Sequence, residues 1–494
     1  GVAYTDATTT TETGDTVPTG DLSGDEEWTC TVTPNDGDED GDSAEASTTI
    51  ADCFAGWDDT EVDLGDASYT LTGEDALDYA GFSISNVGDV DGDGLDDILI
   101  GAQEAEDEDE ASGIVYLVLG SILGSTEALD LSNSSYSFYG EDAYDYAGYS
   151  VAGAGDVDGD GLDDILIGAY GNDDGGSSAG KVYLILGSSL DDEASFDLAD
   201  SDYTFVGEVA YDSAGHSISG AGDVDGDGLD DLLIGAPYND NSLPNAGTVY
   251  LILSSSLGTS SEIDLSLADY SFEGENNSDN AGYSVSTAGD VDGDGLDDIL
   301  IGAFENDDSG SAAGKTYLIL GSSLGSSSAI NLSLADYSFE GESSGDNAGW
   351  SVSTAGDVDG DGLDDIVIGA PEYDHSTNGE GIAYLVLGSS LGSSPSVDLS
   401  LADYRFVGEN KSDQAGFTVG GAGDIDGDGL DDLSIAARYN DDGGSEAGKI
   451  YLLLGSTLAS DTEIVLSDAD YAFVGEEDDK YDKKTSIAGD VDGD

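Results

Sequence analysis

The chain has 494 residues, with 109 Asp and Glu against nine Lys and Arg, for a formal net charge of -100. A surface this anionic repels phosphate backbones and anionic headgroups, which excludes nucleic-acid binding and docking on acidic membranes and leaves cations as the natural partners. Apolar residues still make up 38 % of the chain and fall in regular runs, so the acidity belongs to a folded protein and not to a disordered one.

The sequence starts at Gly1 and contains no Met, which predicts a processed or excised piece of a longer product from which any signal peptide has gone. Apolar runs such as Ile114 to Leu119 fall far short of the roughly 20 residues of a membrane helix, so no membrane span is expected. Residues 1–64 form a first region. A Thr/Asp-rich arm leads into Trp28 to Pro34 and, after an acidic turn, Ala44 to Ile50, which together predict a β-hairpin. Cys30 and Cys53 are the only cysteines, and the pair predicts a disulfide in an oxidising compartment, with two reduced thiols as the alternative.

Residues 65–494 carry a repeat. The phrase Gly-Asp-Val-Asp-Gly-Asp-Gly-Leu-Asp-Asp recurs with its first Asp at Asp89, Asp156, Asp223, Asp290, Asp357, Asp424 and Asp490, a period of 67 and, at the last step, 66. Three further markers hold the same register. A ring-bearing residue stands seven positions earlier at Phe82, Tyr149, His216, Tyr283, Trp350 and Phe417. An apolar strand carries Tyr116, Tyr183, Tyr250, Tyr317, Tyr384 and Tyr451, and a Tyr-x-Phe/Leu-x-Gly-Glu strand begins at Tyr69, Tyr136, Tyr203, Tyr270, Tyr337, Tyr404 and Tyr471. Four short strands per unit without helical periodicity predict an all-β, seven-bladed β-propeller of four-stranded antiparallel blades. The last blade is truncated in this reading: it takes its outer strand from Tyr69 to Glu74, lacks two strands, and carries Lys484 in the ring slot with Lys480 and Lys483 nearby.

The chemistry lies in the acidic phrase. Carboxylates at positions one, three, five and nine, a backbone carbonyl at seven and a Gly at six supply the hard oxygen ligands and the sharp turn that calcium takes. The predicted ligand sets are Asp89, Asp91, Asp93, Leu95 and Asp97; Asp156, Asp158, Asp160, Leu162 and Asp164; Asp223, Asp225, Asp227, Leu229 and Asp231; Asp290, Asp292, Asp294, Leu296 and Asp298; Asp357, Asp359, Asp361, Leu363 and Asp365; and Asp424, Asp426, Asp428, Leu430 and Asp432. Asp490, Asp492 and Asp494 begin a seventh. The expectation is about one calcium per blade, six complete loops in all. Six ions offset only 12 charges, so the remaining acids, in loops such as Asn172-Asp173-Asp174, are expected to be solvated.

Ala80-Gly81-Phe82-Ser83, the Asp89 to Asp97 loop and Ile100-Gly101-Ala102, with their copies along the chain, resemble the FG-GAP repeats of the integrin α-subunit β-propeller and its bacterial relatives. The resemblance implies a seven-bladed propeller with calcium in hairpin loops on one face and partner binding on the other. The 28–50 segment is similar to the last two strands of bacterial immunoglobulin-like modules that accompany such propellers.

The functional expectation is a secreted calcium-binding propeller at the cell surface or outside it, acting in adhesion or as a structural protein, with an unknown protein or glycan ligand. Two alternatives stand beside it: a filament subunit that self-associates through the N-terminal hairpin and the incomplete last blade, and the non-catalytic propeller of a secreted hydrolase. No enzyme is expected. His216 sits in the ring slot, which favours a core role over catalysis, and His375 sits in a polar loop beside Asp374 with no visible nucleophile partner. Asn133, Asn276, Asn331 and Asn410 stand in glycosylation sequons, as a glycoprotein would have.

Overall fold

The computed structural model describes residues 61–475, apart from short segments at 76, 107–109, 124–127, 191–193, 259, 326, 375–378, 393 and 459–461, together with the backbone of the strands Glu27–Val32 and Ala44–Thr49. Cys53, His375, Lys480, Lys483, Lys484, Asp490, Asp492 and Asp494 lie outside the described residues. The two N-terminal strands pair antiparallel, Trp28 opposite Thr48.

Six blades follow one another. Blade 2 shows the plan. Its innermost strand, Ser150–Gly155, pairs antiparallel with Asp164–Ala169, which pairs with Lys181–Ile185, which pairs with the outer strand Tyr203–Val206. The inner strands of the other blades are Ala80–Asn86, Ser217–Gly222, Ser284–Gly289, Ser351–Gly356 and Ala415–Gly423. In blades 2 to 6 a β-bulge two residues before the acidic loop, for example between Gly153 and Gly155, bends the strand into the turn.

Each of the six blades has five strands where the repeat predicted four. The fifth is parallel and comes from the next repeat: Ser195–Asp197 pairs with Tyr136–Tyr139, and Glu262–Asp264 with Tyr203–Val206. In blade 6 the fifth strand is Glu61–Asp63, on Tyr471–Val474, so the start of the repeat region is tied to its far end. Most of these segments end in a short 3-10 turn whose first peptide groups are capped by the preceding side chain, as Asp197 caps Ala199 N–H at 3.0 Å.

Apolar side chains pack between consecutive blades. One cluster joins Leu166, Leu184 and Phe205 of blade 2 to Leu232, Ile234 and Tyr250 of blade 3, and equivalent clusters join each successive pair. The third-strand tyrosines Tyr116 to Tyr451 and the outer-strand phenylalanines Phe138 to Phe406 are fully buried there, each worth about 1.5–3 kcal/mol by area. On the outward faces of blades 1 and 6 the clusters are smaller among the described residues. Tyr69, Leu71, Ile84 and Ile98 on one, and Ile425, Tyr471 and Phe473 on the other, are only partly buried. Thr70–Thr72 has a parallel partner in Ala128–Asp130 but, among the described residues, no antiparallel neighbour of the kind every other outer strand has.

Candidate metal centre and the opposite face

The acidic phrase forms the turn between the first and second strands of every blade. Gly94 adopts φ 91°, the left-handed conformation the sixth position requires, as do its copies. The loop is wound on its own first carboxylate: Asp156 Oδ1 accepts N–H bonds from Gly159 (2.7 Å) and Asp160 (3.1 Å), and Oδ2 accepts one from Gly161 at 2.9 Å. Asp158 and Asp160 each accept a bond from two residues on. The ninth-position acid enters from the second strand. Asp164 Oδ2 accepts Val157 N–H at 2.9 Å and Oδ1 accepts Gly187 N–H at 2.8 Å, and the side chain is buried.

Carboxylate oxygens of Asp89, Asp91 and Asp97, of Asp156, Asp158 and Asp164, and of the first, third and fifth positions in blades 3 to 5 lie within 4.8 Å of one another. Burial, the largest cause, pushes the ninth-position carboxyls Asp97, Asp164, Asp231, Asp298 and Asp365 up to about 7 and Asp432 to about 6, against the two N–H bonds each receives. Burial and then the neighbouring acids raise the third-position groups Asp91, Asp158 and Asp225 as well. Carboxylates converging on one point, joined in blades 1 and 2 by the buried ninth-position acid, are a donor set for a hard divalent cation, which offsets their mutual repulsion.

A further acid stands near each of loops 2 to 6. Asp202 accepts N–H from Leu186 (2.9 Å) and the hydroxyl of Ser189 (2.8 Å), and it helps raise Asp158; Asp269, Asp336, Asp403 and Asp470 repeat this next to Asp225, Asp292, Asp359 and Asp426. Blade 1 has Ser135 at this position. The acid just before the Tyr-x-Phe strand was the available signal.

The ring-slot residues lie at the other end of the inner strands. Phe82, Tyr149, His216, Tyr283, Trp350 and Phe417 form one continuous arc, with neighbouring centroids 5.0, 4.9, 4.7, 4.9 and 5.7 Å apart. His216 Nε2 lies 3.0 Å from the Tyr149 hydroxyl, and Arg438 sits over Phe417. His216 is therefore part of this stack, as its slot predicted.

Asp173 and Asp174, in the loop expected to be solvated, are exposed, but five other acids outside the acidic phrase are not. Asp145, Asp212, Asp279, Asp346 and Asp413 are buried, four of them bonded at 2.8 Å by the amide of Asn172, Asn239, Asn306 or Asn440. Asp174 binds Lys181.

The sequence pattern of the FG-GAP repeat matches residues 80–118, 147–185, 214–252, 281–319, 348–386 and 415–453, one match per blade. The chain is 30 % identical over 249 residues to integrin alpha pat-2 of Caenorhabditis elegans (48 % of this chain, 18 % of that protein) and 29 % identical over 231 residues to integrin alpha-V of Gallus gallus (46 % and 20 %). It is also 28 % identical over 364 residues to a phosphatidylinositol-glycan-specific phospholipase D of Dictyostelium discoideum (69 % and 37 %). It spans about a fifth of the length of the integrin relatives. No described helix is long and apolar enough to cross a membrane. The chain is an FG-GAP-repeat, integrin-α-like β-propeller.

Proposed function

We propose that the chain is a secreted calcium-binding propeller of the cell surface or extracellular space that acts in adhesion or as a structural module, without catalysis of its own. The observation that carries this reading is the set of converging carboxylates at the same turn of consecutive blades, with a buried ninth-position acid in each. The ligands are the oxygens of positions one, three, five and nine with the position-seven carbonyl, and the bound ion fixes the first two strands of each blade against each other. The integrin relatives support the adhesive role, and the aromatic arc on the face away from the loops offers it a surface.

The same reading takes the ring as seven-bladed. Thr70–Thr72 has the outer-strand position of a further blade, and Tyr69 and Leu71 beside blade 1, like Tyr471 and Phe473 in blade 6, are partly buried. A second reading has another copy supply strands to this further blade, so that the chain builds filaments.

The test is a calcium titration by calorimetry. Asp156→Ala with Asp164→Ala is expected to lower the number of ions bound by one, and an unchanged number would remove the ligand assignment. Electron microscopy with and without chelator separates discrete rings from filaments.

A further inference from the structure

Consecutive acidic loops are locked together. The residue at position eight, which the ligand pattern skips, is the link. Asp230 Oδ2 in loop 3 accepts the backbone N–H of Asp156, the first residue of loop 2, at 2.9 Å, and Asp230 N–H donates back to Asp156 C=O at 3.3 Å. Asp163, Asp297, Asp364 and Asp431 make the same reciprocal pair with the preceding loop, the carboxylate bond being 2.8–2.9 Å each time. The position-seven side chain adds a second contact. A Cβ on Gly159 of loop 2 would lie 3.1 Å from Leu229 of loop 3, and one on Gly155 would lie 2.2 Å from the Asp230 carboxylate.

We infer that the six loops take up their ions as one coupled array, with Asp163, Asp230, Asp297, Asp364 and Asp431 as positioning residues that carry occupancy from each loop to the next. This rests on the calcium reading of the loops. With loop 2 occupied, the Asp156 carboxylate, already held by Gly159, Asp160 and Gly161, would be fixed further and its peptide groups with it. Those groups hold Asp230 at both its amide and its carboxylate. Asp231, the next residue, is the buried acid of loop 3. Filling one loop thus pre-orders the acid that the following loop presents to its ion, and by linkage the effect runs equally in both directions. A coupling of this kind changes affinity by about 5- to 150-fold.

The experiment is a calcium titration of the full chain, read for both the number of ions and the Hill coefficient. The wild-type chain is expected to bind with a Hill coefficient well above 1. Replacing all five linking acids by Ala should keep the number of ions and bring the coefficient to about 1. The Asp→Asn set, which retains the accepting oxygen, should restore it. If the five-fold Ala chain does not fold, Asp230→Ala alone should lower the coefficient by dividing the array. A wild-type coefficient of 1 with the ions bound overturns the coupling and leaves the calcium reading intact, and so does an Ala set that keeps the wild-type coefficient. Failure to bind calcium at all removes both, and the ion count tells the two apart.

Discussion

Lys315 and Glu275 form an ion pair 2.8 Å long in which the lysine side chain is only 7 % exposed. Asp308 binds the same ammonium at 2.9 Å, and Tyr317 donates its hydroxyl to Glu275 at 2.8 Å. Blades 2 and 6 repeat the ion pairs with Lys181, Glu141 and Asp174 and with Lys449, Glu409 and Asp442. Blade 3 exchanges both partners at once: Thr248 replaces the lysine and Asn241 the aspartate, so the local charge stays matched. In blade 5 Arg405, from the outer strand, bonds Glu342 through Nε and Nη2. Four of the chain's nine basic residues therefore each pair with one half-buried glutamate, in blades 2, 4, 5 and 6.

Removing one member of such a pair leaves an uncompensated charge. Lys315→Ala is expected to destabilise the protein by about 3–5 kcal/mol, and Glu275→Gln in the same chain to recover part of that. Chemical denaturation in excess calcium measures both. A Lys315→Ala effect below 1 kcal/mol would show that solvent reaches the glutamate.

The buried acids on the face away from the loops give a pH dependence of defined sign. Burial raises Asp212, like Asp145 and Asp346, to about 6, while Asn239 and the Val209 N–H act in the other direction on Asp212. The ordinary value is 3.8, so the folded state holds an extra proton between the two values. Its contribution is complete below about pH 4 and is lost as the pH rises through 6. Asp212→Asn keeps the acceptor without the charge. It should raise the melting temperature at pH 7.5, by the equivalent of about 1–3 kcal/mol, and leave it nearly unchanged at about pH 3.5. Equal destabilisation at both values would contradict the assignment.

Two glycines with the same backbone conformation separate strain from contact. Gly222 (φ 71°) and Gly423 (φ 65°) both precede an acidic loop, but an added Cβ at Gly222 would meet the Asp297 carboxylate at 2.2 Å, whereas one at Gly423 meets nothing within 4 Å. Alanine at either position carries the backbone cost of about 1–2 kcal/mol. At Gly222 it also displaces Asp297, and thermal unfolding should show the greater loss there. Equal losses would mean that the link contributes nothing to stability.

The 67-residue register made the inner, second, third and outer strands readable, together with the ring slot and every described loop, because each recurs with its chemistry intact. The parallel fifth strand was not readable. Segments such as Ser195–Asp197 are three residues long, too short for an alternation to declare itself, and the partner strand lies in the preceding repeat. The position-eight acids were read as part of a loop and no more, since their bond reaches back 74 residues to a backbone group that has no side-chain signature. The buried Asp145 and its copies were hidden by composition: in a chain this acidic a single Asp looks solvated, and only the opposing Asn172 amide shows why it is tolerated inside.

The parallel fifth strand also bears on how the protein is made. Tyr139 meets Asp197, so blade 1 gains its last strand only after 58 more residues have been synthesised, and each later blade likewise waits for the repeat that follows it. Assembly from the ribosome is then vectorial, one repeat behind elongation. The exception is Glu61–Asp63, which is made before any blade and pairs with Tyr471–Val474, the final outer strand. Among the described residues that pairing closes the longest loop, and so carries the largest loop-closure entropy.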